Sequence, residues 1–185
     1  MYGTILSELQ KFITAKFGLA FRNQMQHAAG VGPRIYMPIT TYPDAEAAAL
    51  VQAAAQLSGR PAPELLTAFG EFLAPKLLEM YRHFVSPAWR TLDVLEHTES
   101  TIHRIVRLRE PGATPPRLVC TRVSGTEVMI AYESPRRMCS LGVGLAFGLA
   151  EHYSESLDAT QSQCMNEGAS RCLINFRLIT PAPGV

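Results

Sequence analysis

His103 offers an imidazole that in its neutral form ligates iron or another transition metal. Nine residues later the chain reads Gly112-Ala113-Thr114-Pro115-Pro116, and further on Tyr132-Glu133-Ser134-Pro135-Arg136. Tyr132, Ser134 and Arg136 supply two hydroxyls and a guanidinium, groups suited to two carboxylates. A metal-ligating histidine combined with a clamp for two carboxylates reads as a heme site, the carboxylates being the propionates.

The elements that carry these groups follow from local pattern. Tyr132, Ser134 and Arg136 alternate at period two and continue the face of Val128 and Ile130, so they converge on one side of a strand. Ser134 also reads as the N-cap of a helix whose first residue is Pro135, and a helix N-terminus is itself an anion site. A helix near 87–109 puts Leu92, Leu95, Ile102 and Val106 in one apolar stripe with His103 at its edge and His97 on the opposite side. That geometry separates His103 from His97 as the candidate ligand; taken alone, His103 reads more plainly as a hydrogen-bonded core histidine, and it is the downstream Tyr132, Ser134 and Arg136 that shift the reading toward a ligand.

Punctuation upstream at Gly18, Gly30, Pro43, Gly59, Pro63 and Pro87 divides the first two-thirds into helices, with spans near 44–58, 63–84 and 87–109. Asp44 and Ser86 are the expected N-caps, Gly59 suits the position after a helix C-terminus, and Pro75 is expected to interrupt the second span. Strands at 117–122 and 127–132 join through Ser124-Gly125. A helix from Pro135 to about Tyr153 precedes strands at 156–163 and 171–179, linked by a turn at Asn166-Glu167-Gly168. The predicted class is α+β with a small antiparallel sheet, and the Pro181-Ala182-Pro183-Gly184 tail reads as disordered.

With 185 residues, 47% hydrophobic and 18% charged, the chain suits one domain with a sizeable core. A net charge of +1 and the lack of a basic block argue against nucleic acid and anionic membrane as partners. The apolar run from Met138 to Ala150 falls short of the roughly 20 residues that span a bilayer. The first residues carry an early acid and no basic leader, so no signal peptide is expected. Four cysteines without a secretion signal point to a reducing cytoplasm.

Over nearly its whole length the chain resembles the heme-nitric oxide/oxygen binding domains, called H-NOX, which are related to the heme domain of soluble guanylate cyclase. The resemblance rests on Met1-Tyr2-Gly3, on His103 and its spacing to Gly112 through Leu118, on the Tyr-x-Ser-x-Arg triplet, and on Gly144 and Gly148. It implies a single domain over 1–180, with heme b between a helical distal part, about 1–85, and a proximal α+β part, about 86–180. It further implies iron on His103, Pro116 pressing on the porphyrin, and Ile5, Leu9, Leu73, Leu141 and Leu145 lining the pocket. Each of those apolar residues could equally be ordinary core.

In family members that hold oxygen stably a distal tyrosine donates a hydrogen bond to it; the matching position here is Leu141, and the supporting positions are Leu9 and Leu73. Oxygen on iron carries partial negative charge that hydrocarbon cannot stabilise, whereas nitric oxide needs no such donor. The resemblance therefore implies a nitric oxide sensor, also able to take carbon monoxide, in which the gas causes His103 to let go and the strain at Pro116 to relax. The partner would be a separate protein, in bacterial relatives commonly a histidine kinase or a diguanylate cyclase. Catalysis is not expected, because a heme peroxidase needs a polar distal acid–base group.

Cys139, Cys164 and Cys172 form a second group, the last two flanking the final hairpin turn. Some family members bind zinc with three such cysteines and a histidine, and the matching residue here is Gln161. An amide is a poor zinc ligand, while His152 lies about 20 Å along the helix from Cys139, so the fourth ligand is left open. The alternative readings are buried apolar cysteine, a thiol redox switch, or a heme-free thiol/zinc or small-molecule-binding module of the same fold.

Overall fold

A computed structural model describes residues 1–180; the expected disordered tail lies outside the described residues. Helix α1 (Gly3–Ala28) buries Leu6, Leu9 and Ile13 at helical spacing and is broken at Gly18, whose φ of 86° is left-handed. Helix α2 (Asp44–Ser58) ends at Gly59 with φ 68°, as its sequence punctuation requires. Asp44 is the first helical residue rather than the N-cap, which is Pro43, and its carboxylate turns outward to other partners.

Helix α3 (Ala62–Tyr81) runs straight through Pro75, so the expected interruption does not occur. Proline removes the amide that would bond the Glu71 carbonyl one turn earlier. That carbonyl faces Gly148 of α6 (Cys139–His152), where a Cβ would stand only 2.7 Å from it. The two helices pack backbone to backbone: a Cβ built on Gly144 meets the Thr67 carbonyl at 1.9 Å. This close crossing sets Leu141 and Leu145 beside Leu73 and explains why α6 carries glycine at helical spacing.

Helix α4 (Thr91–His97) begins later than the predicted position 87. The Ser86 hydroxyl accepts the Ala88 N–H in a turn, while Arg90 is the N-cap and the Asp93 carboxylate accepts its N–H at 2.9 Å. Buried Glu155 accepts the Thr91 N–H at 3.1 Å and completes the cap. A π-helical turn (Thr98–His103) then leads into α5 (Arg104–Arg109).

Strands β1 (Arg117–Ser124), β2 (Glu127–Glu133), β3 (Ser156–Gln163) and β4 (Cys172–Thr180) make one antiparallel sheet in the order β1-β2-β4-β3. Helix α6 starts at Cys139 and not at Pro135. The residues between form a turn in which the Arg137 N–H bonds the Ser134 carbonyl at 3.1 Å and Arg137 itself takes φ 52°. Ser134 therefore closes a turn, its hydroxyl accepting the Arg136 N–H at 3.3 Å, instead of capping the helix.

Two apolar cores result. One is built from α1, α2 and α3, with Leu6, Phe12, Leu50 and Phe69 at its centre. The other packs Leu92 and Leu95 of α4 against Val128, Ile130, Ile174 and Phe176 of the sheet. Leu145 of α6 touches both, so α6 joins the helical half to the sheet. Among the described residues no helix is long and apolar enough to cross a membrane.

Candidate functional site

Where the two cores meet lies a cavity of about 280 Å³, near the lower end of small-molecule sites. His103, Ile102 and Val106 reach it from the π-turn and α5, and Pro115 and Pro116 from the segment before β1. Ile5, Leu73, Leu141 and Leu145 reach it from α1, α3 and α6. Leu9 does not: one turn beyond Ile5, it is buried within the helical core. Its predicted place in the lining is thus corrected to a supporting layer.

The His103 side chain is 13% exposed, and its Nδ1 lies 2.9 Å from Glu99 Oε2. With Nδ1 donating to that carboxylate, Nε2 keeps its lone pair for a metal. Burial holds the His103 pKa below its ordinary value, outweighing the upward pull of Glu99 and the Pro116 carbonyl. A neutral imidazole is the form that ligates metal.

Tyr132 and Arg136 both face the cavity, whereas buried Ser134 does not reach its wall. Burial raises the Tyr132 pKa, keeping the phenol a hydrogen-bond donor, while Ser134 beside it acts in the opposite direction. Arg136 Nη1 contacts both Asp44 oxygens and Thr114 Oγ1, and Nη2 donates to the Thr114 carbonyl. Its Nε–H and second Nη2–H carry no protein partner among the described residues, and that edge is the one that forks onto a carboxylate.

Hydroxyls also reach the cavity, and the protons of three of them are committed. Tyr81 donates to Glu110 at 2.6 Å, Thr98 to the Val94 carbonyl at 2.7 Å, and Thr4 to the Pro38 carbonyl at 3.1 Å. The Tyr81 pKa is raised, first by burial and then by Glu110. Sequence reasoning missed the Tyr81–Glu110 pair, which is 29 residues apart and leaves no local signal. It also missed Glu99, although Glu99 and His103 stand at the i,i+4 spacing that faces side chains together.

Away from the cavity, the sulfurs of Cys139, Cys164 and Cys172 lie within 4.8 Å of one another. Cys139 is the first residue of α6, not one turn into it. Gln161 is beside them, but its Nε2 donates to the Gln163 carbonyl at 3.1 Å and points toward Cys139 Sγ at 3.8 Å. The group therefore offers three soft ligands and no fourth nitrogen or sulfur among the described residues, short of a closed structural zinc site. Burial pushes the Cys172 thiol up to about 12, and Cys120, apart from the cluster, is pushed up to about 11.

The Haem-NO-binding family model matches residues 2–161. The chain belongs to the Haem-NO-binding, or H-NOX, family. Among solved structures it is similar to an H-NOX protein from S. oneidensis in the Fe(II)NO ligation state, with TM-score 0.89, 25% identity, and 97% of this chain and 100% of that one covered. An Fe(II) unliganded H-NOX protein from K. algicida shares the fold at TM-score 0.88 and 21% identity, each chain covered in full. A curated relative, soluble guanylate cyclase gcy-31 of Caenorhabditis elegans, is 23% identical over 138 residues, which are 74% of this chain and 20% of that protein. The chain thus spans about a fifth of that relative's length.

The family is one of heme-based gas sensors. The residues present fit a heme on the chemistry of the donor set: a half-buried imidazole whose Nδ1 is engaged by Glu99, a largely hydrocarbon cavity, and an unpaired guanidinium edge beside a phenol.

Proposed function

We propose that residues 1–180 form one sensing domain, helical distal part to about 85 and α+β proximal part from 86, which detects nitric oxide, excludes oxygen and regulates a separate protein. The observation that carries this reading is His103, with Nδ1 bonded to Glu99, sharing one cavity with Ile5, Leu73, Leu141 and Leu145. Bound heme b would supply the iron that takes the gas. His103 Nε2 would hold that iron, Tyr132 and the free edge of Arg136 would orient the propionates, and Ser134 would act from behind by holding the turn that presents Arg136.

Leu141 and Leu73 offer no proton to a diatomic ligand, which disfavours oxygen because its partial negative charge needs a donor. Nitric oxide and carbon monoxide need none. The His103 segment is suited to move, since between α4 and the Pro115-Pro116 segment at the cavity the chain runs through a π-turn, the short helix α5 and the loop at 110–114. Release of His103 would let this segment relax against Pro116, and a histidine kinase or diguanylate cyclase in the same cytoplasm would read the change. A visible spectrum of the ferrous protein tests the selectivity: nitric oxide should shift the Soret band and air should yield no stable oxygen spectrum. A spectrum of stable oxygen binding in air contradicts it.

The three gathered thiols favour a second, separate role. They would hold zinc as three ligands with an open position filled by water, or serve as a thiol redox switch. Zinc analysis of the purified reduced protein, with a free-thiol count before and after mild peroxide, distinguishes the two; no zinc and no loss of thiols contradicts both.

A further inference from the structure

Glu99 is placed to do more than orient a ring. Its Oε2 lies 2.9 Å from His103 Nδ1 and also accepts the Leu118 N–H at 3.2 Å, while Oε1 accepts from Arg107 at 2.6 Å. Three elements thus meet on one carboxylate: the π-turn that holds both Glu99 and His103, helix α5 through Arg107, and β1 through a backbone amide two residues after Pro116. Lone pairs on both oxygens are occupied, so the carboxylate is fixed in direction and its negative charge is partly spent on the guanidinium.

A carboxylate accepting from Nδ1–H pushes electron density through the imidazole and makes Nε2 a stronger donor. An arginine on the far oxygen draws density the other way. We propose that Glu99 is a positioning residue that sets how strongly His103 donates to a metal, and that Arg107 moderates it, so that the pair fixes the threshold at which His103 lets go. This inference rests on heme ligation by His103. Removing the negative charge at Glu99 and removing the positive charge at Arg107 must act in opposite directions, which general damage to the fold would not do.

The experiment compares wild type, Glu99→Gln and Arg107→Gln, each reconstituted with hemin and reduced, by resonance Raman and redox titration. Glu99→Gln should lower the iron–histidine stretching frequency, raise the reduction potential and speed hemin loss by about tenfold. Arg107→Gln should raise the frequency and lower the potential. Shifts of the same sign in both variants, or no shift in either, overturn the proposal. Independently of hemin, long-range proton–nitrogen spectra of the heme-free protein should show His103 with its proton on Nδ1 in wild type and a tautomer mixture in Glu99→Ala; an Nε2–H tautomer in wild type also overturns it. Failure of wild type to take up hemin strikes the heme reading itself, and the tautomer still decides whether Glu99 directs the ring.

Discussion

Arg136 Nη1 lies 3.1 Å from Asp44 Oδ2, tying the turn before α6 to the first residue of α2. This ion pair bridges the sheet half and the helical half beside the cavity, and Thr114 holds the rest of the guanidinium so that only its Nε edge stays free. A residue that reads in sequence as an anion clamp is therefore aimed before any anion arrives.

Arg136→Ala should accelerate transfer of hemin to an acceptor protein by about 10- to 100-fold, the range of one charge-assisted hydrogen bond or pair. Arg136→Lys should recover only part of that retention, because an ammonium cannot fork onto a carboxylate. Equal rates for wild type and both variants would remove Arg136 from the binding role.

Asp44 carries a pH signature. Burial pushes its carboxyl up, but the Met1 amino group and Arg136 outweigh it and hold the pKa below the ordinary 3.8. A carboxyl depressed in the folded state stabilises the fold above its unfolded pKa and loses that contribution as pH falls through the folded value. Since Asp44 is 42% exposed, the contribution is about 1 kcal/mol or less at neutral pH. Denaturant unfolding should find Asp44→Asn less stable than wild type at pH 7, with the gap closing as pH drops below about 3.8. A gap that persists at pH 2 would contradict the pairing.

Leu141→Tyr places a phenol in a cavity whose Tyr81, Thr98 and Thr4 hydroxyl protons are already committed. One new hydrogen bond of about 1.4 kcal/mol is a tenfold gain in oxygen retention. The ferrous variant should show an oxygen-dependent Soret shift in air that wild type lacks. An unchanged spectrum would mean that hydrocarbon at Leu141 is not what excludes oxygen.

Gly144→Ala puts a methyl group where the Thr67 carbonyl stands 1.9 Å away. The backbone of α3 cannot yield as a flexible side chain would, so the α3–α6 crossing must open, at a cost of about 3 kcal/mol or more. Thermal unfolding should show a loss of several degrees, and Gly142→Ala on the same helix, with open space around it, should show almost none.

Much of this architecture was legible because local chemistry and tertiary structure agree. Asp44 to Ser58 keeps the predicted span and ends at a left-handed Gly59 as its sequence requires, although Pro43 rather than Asp44 is the N-cap. The strands followed from alternation and the Ser124-Gly125 turn. The misplaced boundaries have physical reasons: Pro75 is absorbed by a helix pressed on glycine, and Pro135 belongs to a turn made possible by Arg137 at positive φ. Neither feature is written in local propensity. Within the site, His103, Tyr132 and Arg136 were found by type and spacing, but Asp44 and Thr114, which hold Arg136, and Glu110, which holds Tyr81, arrive from distant sequence. The π-turn that carries His103 has no periodicity of its own by which to recognise it.

The most direct test of the account is hemin titration of the purified protein followed in the Soret region, for wild type and for His103→Gly with and without added imidazole. Wild type should bind one equivalent with an axial-histidine spectrum, and the variant should lose that spectrum and regain it with free imidazole. A wild-type protein that stays colourless, or a His103→Gly spectrum identical to wild type, would contradict the claim that His103 holds the iron.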